Sequence, residues 1–150
     1  MLGLGILSFR IRPAEKEDRM EIAPGLIGEV EIIVQPSDTA DAHGNKGVHV
    51  LATPRLVALF EEAAIQAVQS HLPSGGGTVG TRLEVKHLAA TPMGMRVRAR
   101  AVLRQVDGRR LVYDLEAHDE VEKVGEGTHE RFQVMQARFL ERVAEKTRRP

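Results

Sequence analysis

The 150-residue sequence contains no cysteine and no tryptophan, and only four Phe and one Tyr. Without a thiol there is no thiolate nucleophile, no Cys-ligated zinc and no disulfide, so any chemistry must come from oxygen, nitrogen or water. The missing disulfides leave a reducing, cytoplasmic compartment as the expectation. Scarce aromatics remove the stacking platform on which single nucleic-acid strands are held. A surplus of one charge is missing too, since 21 basic residues face 21 acidic ones. Sequence-independent nucleic-acid binders and membrane-surface proteins need basic excess, so neither partner is expected. Long apolar runs are also absent: charges interrupt every window approaching the roughly 18 residues of a spanning helix. The apolar start, Met1 to Phe9, has no basic residues before it, and Arg10 and Arg12 follow where a signal peptide would show a small-residue cleavage site. What remains is the pattern of a soluble chain, long enough to bury a core without metal or disulfide staples.

Hydrophobic spacing supplies the elements. Leu26 to Gln35 is β-rich, with Glu29 and Glu31 alternating outward, and predicts a strand. Pro36 to His49 is dense in Pro, Ser, Asp, Asn and Gly and predicts a long loop of the kind used as lids or binding segments. Pro54 to Leu72 predicts the one core helix, with Thr53 at the N-cap and Pro54 at the first helical position. At 100° per residue its polar arc holds Arg55, Glu62, Gln66, Gln69 and Ser70, and nearly all the rest is apolar. Gly75 to Gly77 lacks the Lys-Ser/Thr of a phosphate loop and reads as a flexible connection. Beyond it, Thr81, Leu83, Val85, His87 and Ala89 alternate with Arg82, Glu84 and Lys86, and Val97 to Leu103 alternates likewise with Arg96, Arg98, Arg100 and Arg104. Asp107-Gly108 signals a hairpin, and a three-residue loop, 107–109, sets Leu103 opposite Tyr113 and Arg100 opposite Glu116, keeping one face apolar. "THERFQVMQARFL" predicts a last strand grading into a short helix. One long helix and at least four one-sided strands fit an α+β fold in which an antiparallel sheet curls around that helix.

Three residues break these patterns or stand beside the break. Glu61 lies on the apolar arc with Val57, Ile65, Val68 and Leu72, where an unpaired carboxylate costs several kcal/mol or takes up a proton. It needs a partner at a dimer contact or watery edge, or a chemical purpose. His87 is a titratable ring on an inward strand face, which suits a satisfied structural residue as well as a catalytic one. Thr53 is explained as a cap. Together, however, an acid, an imidazole and a hydroxyl are the minimum for hydrolysing an ester or thioester without Cys. Asp41, His43 and His49 have no metal-ligand spacing, so no metal is expected. The arginine stripe, with Asp114, Glu116 and His118 across from it, reads as a solvated, charge-paired face.

The segments "LATPRLVALFEEAA", "VGTRLEVKHLAATPMGMRV", "DGRRLVY" and "EGTHERF" resemble those of the hotdog-fold thioesterases similar to fluoroacetyl-CoA thioesterase. The resemblance spans about Gly28 to Val134. It implies a hotdog fold, a curled antiparallel sheet wrapped around one long central helix, acting as a homodimer or a tetramer. It implies hydrolysis of a short-chain acyl-CoA to free acid and CoA, with no cofactor, by a catalytic set falling on Thr53, Glu61 rather than Glu62, and His87. It further implies that Gly80 lets backbone approach the thioester and that Arg131 lies near the substrate. The loop from Pro36 to His49 departs from the fluoroacetyl enzyme, which leaves the acyl group open. A hotdog hydratase or dehydratase, or a non-catalytic acyl-CoA or apolar-ligand binding module, are the alternatives. The expected organisation is an N-terminal extension over 1–19, the domain over 20–143 and a charged tail over 144–150.

Overall fold

The structure, a computed structural model, describes residues 21–149. The expected extension over 1–19 and the first residue of the domain lie outside the described residues. Five strands, β1 (Ile27–Ile33), β2 (Gly76–His87), β3 (Arg96–Asp107), β4 (Arg110–Asp119) and β5 (Lys123–Met135), form one antiparallel sheet in the order β1-β3-β4-β5-β2. Helix α1 (Thr53–Gln69) lies in its concave face, and α2 (Gln136–Glu145) follows β5. This is the expected hotdog architecture.

The core follows from the alternation. Val97, Ala99, Ala101 and Leu103 of β3 and Leu111, Tyr113, Leu115 and Ala117 of β4 are buried against Leu56, Leu59, Phe60, Ala63, Ala64 and Val68 of α1. Small residues set how closely the layers approach. At Gly28 in β1 a Cβ would overlap the Ala63 carbonyl of α1, so only glycine lets the helix cross the strand there. The arginine stripe is charge-paired as expected, but its partners include β1: Arg96 and Arg98 reach Glu31 at 2.8 and 2.9 Å, and Arg104 reaches Asp114 at 2.8 Å. Such exposed pairs contribute about 0–1 kcal/mol each and leave little free charge for an anion.

Four local expectations are corrected. The β3–β4 register does set Leu103 opposite Tyr113 and Arg100 opposite Glu116, yet Asp107 pairs with Arg110, so the turn has two residues and a bulge between Leu103 and Gln105 absorbs the extra one. Gly76 and Gly77 belong to β2, paired with Met135 and Val134, and are no flexible connection. Thr81 does not face inward. A bulge between Gly80 and Arg82 turns it out, where its hydroxyl donates to the Glu130 side chain at 2.8 Å, while Leu83 and Val85 keep the inward face. Finally, α1 starts at Thr53 with Ala52 as its cap residue and ends at Gln69.

The loop over 36–49 is compact. It contains two single turns of 3₁₀ helix, Pro36–Asp38 and Asp41–His43. Asp38 ties it to α1 through Arg55 at 2.8 Å. Asp41 accepts from the Gly47 amide at 2.8 Å, and His43 Nδ1 lies 2.9 Å from the Thr39 carbonyl, so both side chains serve the loop itself. Among the described residues no group of three His, Cys, Asp or Glu could hold a metal ion, and no helix is long and apolar enough to cross a membrane.

Candidate functional site

The start of α1 explains the first pair. Because Ala52 supplies the cap position and makes no side-chain hydrogen bond, the Thr53 hydroxyl is not spent on the helix. It lies 2.8 Å from His87 Nδ1, at the end of β2. The cap role that accounts for Thr53 in the sequence is therefore absent, and a cross-element contact stands in its place. His87 is half-buried, and its Nε2 is buried without a hydrogen-bond partner among the described residues. Burial holds this imidazole below its ordinary pKa, with the Ala89 backbone acting in the opposite sense, so the neutral ring prevails at pH 7. Beside the pair opens a cleft of about 370 Å³, lined by Thr53, His87 and Leu88 together with Val48 and Val50 at the end of the loop.

The second pair forms two turns further along α1. Glu61 Oε2 accepts from Arg131 Nη1 at 3.2 Å. Arg131 projects from β5 and is 3% exposed. The partner that the Glu61 position requires is thus an arginine from a strand 70 residues away. The carboxylate itself remains 40% exposed, because Val57, Ala58 and Ile65 on the same side of α1 are not fully covered by the sheet. Arg131 is held in turn by Thr78, through Nε to Oγ1 and Nη2 to the carbonyl, both at 2.9 Å, and by His129 Nε2 at 3.1 Å. Gly80 completes the wall. A Cβ there would sit 3.2 Å from Glu61 Oε2, from Arg131 Nη1 and from His129 Cε1.

All five expected residues consequently fall into two clusters: Thr53 with His87, and Glu61 with Gly80 and Arg131. Glu61 lies eight positions beyond Thr53 on α1, about 12 Å of rise, and neither Thr53 nor His87 hydrogen-bonds Glu61 within this chain. Thr78 and His129 belong to the second cluster but not to the residues expected from the sequence. For His129 a signal existed: once "THERF" is a strand and Arg131 faces inward, the residue two before it shares that face. For Thr78 none did, because the bulge after Gly80 breaks the alternation that would have placed it.

The model of the family described as fluoroacetyl-CoA-specific thioesterase matches residues 34–137. A fluoroacetyl-CoA thioesterase from Streptantibioticus cattleyicolor is 44% identical over 98 residues, 65% of this chain and 70% of that protein. Among solved structures, a single-site variant of the fluoroacetyl-CoA-specific thioesterase superposes with a TM-score of 0.80 at 34% identity, covering 85% of this chain and 98% of that one. A hypothetical protein from Thermus thermophilus, a thioesterase superfamily member, gives 0.77 at 27% identity over 85% and 96% of the two chains. Sequence and architecture converge on one lineage, and this chain belongs to the fluoroacetyl-CoA-specific thioesterase family of hotdog proteins.

Proposed function

We propose that this protein is an acyl-CoA thioesterase that hydrolyses a short-chain acyl-CoA in the cytoplasm to the free acid and CoA, with Glu61, His87 and Thr53 as its catalytic set. The observation that carries this is the state of Glu61: one carboxylate on the open face of α1, held by Arg131 through Oε2 only, with Oε1 free of hydrogen bonds from the described residues. A carboxylate so oriented is an oxygen base with one fixed and one available atom. Glu61 starts the attack at the thioester carbonyl, and Gly80 beside it leaves room for the acyl group. Neutral His87, oriented by Thr53, moves the proton. The net change is addition of water across the C–S bond: the carbonyl carbon gains oxygen and the CoA sulfur departs with a proton. Water is the only co-reactant, and CoA enters as part of the substrate.

Two observations support a homodimer as the working form. Among the described residues β2 is a twelve-residue edge strand paired on one side only, by β5. Long edges of this kind expose a row of unpaired backbone groups that a second copy can satisfy. Beside that edge lies the side of α1 that no other described residue covers, with Ile65 37% exposed next to Glu61. A two-fold arrangement covers this face and lets the Thr53–His87 cluster of one copy approach the Glu61 cluster of the other.

The deciding measurement is release of CoA thiol from a panel of acetyl-, fluoroacetyl-, butyryl- and hexanoyl-CoA by wild type and Glu61→Gln. Expected is turnover of the short chains and a loss of about 10³-fold or more in the variant, the scale of removing an essential base or nucleophile. Unchanged turnover in Glu61→Gln sinks the assignment. Tight binding with no turnover in wild type makes the protein a ligand-binding module instead.

A further inference from the structure

Behind the Glu61–Arg131 pair stands a buried imidazole that the hydrolytic steps do not use. His129 is 1% exposed on β5, between Leu83 of β2 and Tyr113 of β4 in the sheet register. Its Nδ1 lies 2.8 Å from the Arg82 carbonyl oxygen and its Nε2 3.1 Å from Arg131 Nη1. A carbonyl only accepts and a guanidinium only donates. One species satisfies both contacts, the neutral ring with its proton on Nδ1, donating to Arg82 and accepting from Arg131. The other neutral tautomer sets N–H against N–H at Arg131 and lone pair against lone pair at Arg82, and the protonated ring sets N–H against the guanidinium. Burial, reinforced by the Arg131 charge, holds the His129 pKa low, against the Arg82 carbonyl and the Glu61 charge, which is the direction the geometry requires. The Tyr113 ring, its centroid 6.1 Å from that of the imidazole, packs against it.

Arg131 is thereby fixed at three places, Nε and Nη2 by Thr78 and one Nη1 proton by His129, so its second Nη1 proton is aimed at Glu61 Oε2. We propose that His129 is a positioning residue for thioester hydrolysis: as the fixed Nδ1–H tautomer it orients Arg131, and through Arg131 the Glu61 carboxylate, so that Oε2 is held and Oε1 is presented to the substrate. This rests on Glu61 being the reacting carboxylate. Fixing a reacting group to within a fraction of an ångström is worth up to about 10²-fold in rate, and the partners that orient metal ligands, a comparable positioning task, contribute about 10- to 100-fold.

Two substitutions separate the two hydrogen bonds of the ring. In His129→Asn the short amide reaches the Arg82 carbonyl but supplies no acceptor to Arg131. In His129→Gln the longer amide oxygen takes the place of Nε2 and accepts from Arg131. Expected with a short-chain acyl-CoA is a fall in kcat of about 10- to 100-fold for His129→Asn, with KM within about 2-fold, and recovery to within about 3-fold of wild type for His129→Gln. In an Arg131→Met background His129→Asn costs nothing more, because it acts only through that arginine. Wild-type kcat in His129→Asn, or losses that multiply in the double variant, overturns the proposal while leaving the thioesterase assignment intact. A wild type without turnover on any acyl-CoA overturns both. Should the variants fail to fold, long-range ¹H–¹⁵N spectra of the wild type decide: the Nδ1–H tautomer is expected at pH 7, and an Nε2–H or protonated ring contradicts it.

Discussion

At the residue scale the site is governed by which hydrogen-bonding valences are already used. Arg131 spends four of its N–H groups inside the protein, two on Thr78, one on His129 and one on Glu61. Its removal from solvent is tolerable because a guanidinium with several satisfied donors and a carboxylate partner is not an isolated charge. Gly80 tests how tightly this cluster is set. A Cβ would press on three of its atoms at 3.2 Å, tighter than most real contacts, with no strain in the backbone conformation itself. Gly80→Ala should therefore fold, at a cost of about 1 kcal/mol, and lower kcat by about 10-fold or more as Glu61 is pushed from Arg131. Melting temperature and acyl-CoA turnover on one preparation check both parts; wild-type turnover would mean the cluster gives way freely and Gly80 is not needed for the site. The choice of Glu61 over Glu62 was legible in the sequence, since one falls on the apolar arc and its neighbour on the polar one. Its partner was not. No local pattern couples position 61 to position 131, and only the closing of β5 beside β2 brings them together.

At the element scale, α1 and β2 each carry one surface that no other described residue covers. The buried side of α1 holds Leu56, Leu59, Phe60, Ala63 and Ala64, whereas Val57 and Ala58 are half-buried and Ile65 is exposed. An amphipathic helix needs one apolar stripe, and α1 has more than one sheet can use. Among the described residues β2 adds an unpaired edge alongside. Sedimentation velocity at micromolar concentration should give twice the chain mass, and Ile65→Asp should shift it toward the monomer with a loss of turnover if the two clusters meet across the interface. A wild type that sediments as a monomer and still turns over acyl-CoA at full rate would remove the two-copy site. The bulges in β2 and β3 show why strand register is harder to read than strand existence. Both keep the apolar face continuous, but each shifts the residue that points in, so Thr81 leaves the core and Gly80 enters the site.

At the scale of the whole molecule, two shielded imidazoles make stability depend on pH. His87 and His129 both have pKa values held below 6.5 by burial. Unfolded, each takes up its proton near pH 6.5; folded, only at lower pH. Between those points the unfolded state binds more protons, so unfolding free energy rises with pH, is fully present above about 7 and falls as the pH drops through 6.5 and below. The groups facing His129 are Arg131, Glu61, Tyr113 and the Arg82 carbonyl, and those facing His87 are Thr53 and the Ala89 backbone. Carboxylates held low by their partners, such as Asp119 with its backbone donors, lose their contribution only below about pH 4. Melting curves from pH 5 to 8 should show this decline, and His129→Gln should flatten part of it. A melting temperature independent of pH between 5 and 7 would mean the two rings titrate alike in both states.

The sequence by itself determined the helix, the existence of the strands and their inward faces away from the bulges, since hydrophobic period is a local property that each segment carries regardless of its neighbours. It also determined that any chemistry must run on carboxylate, imidazole and hydroxyl, because cysteine is absent. Tertiary structure alone decided who pairs with whom: Thr53 with His87 across 34 residues, Glu61 with Arg131 across 70, and His129 behind them. These contacts exist because a sheet with order β1-β3-β4-β5-β2 brings β5 beside β2 under the helix. That juxtaposition comes from packing the whole chain, and no stretch of neighbouring residues encodes it.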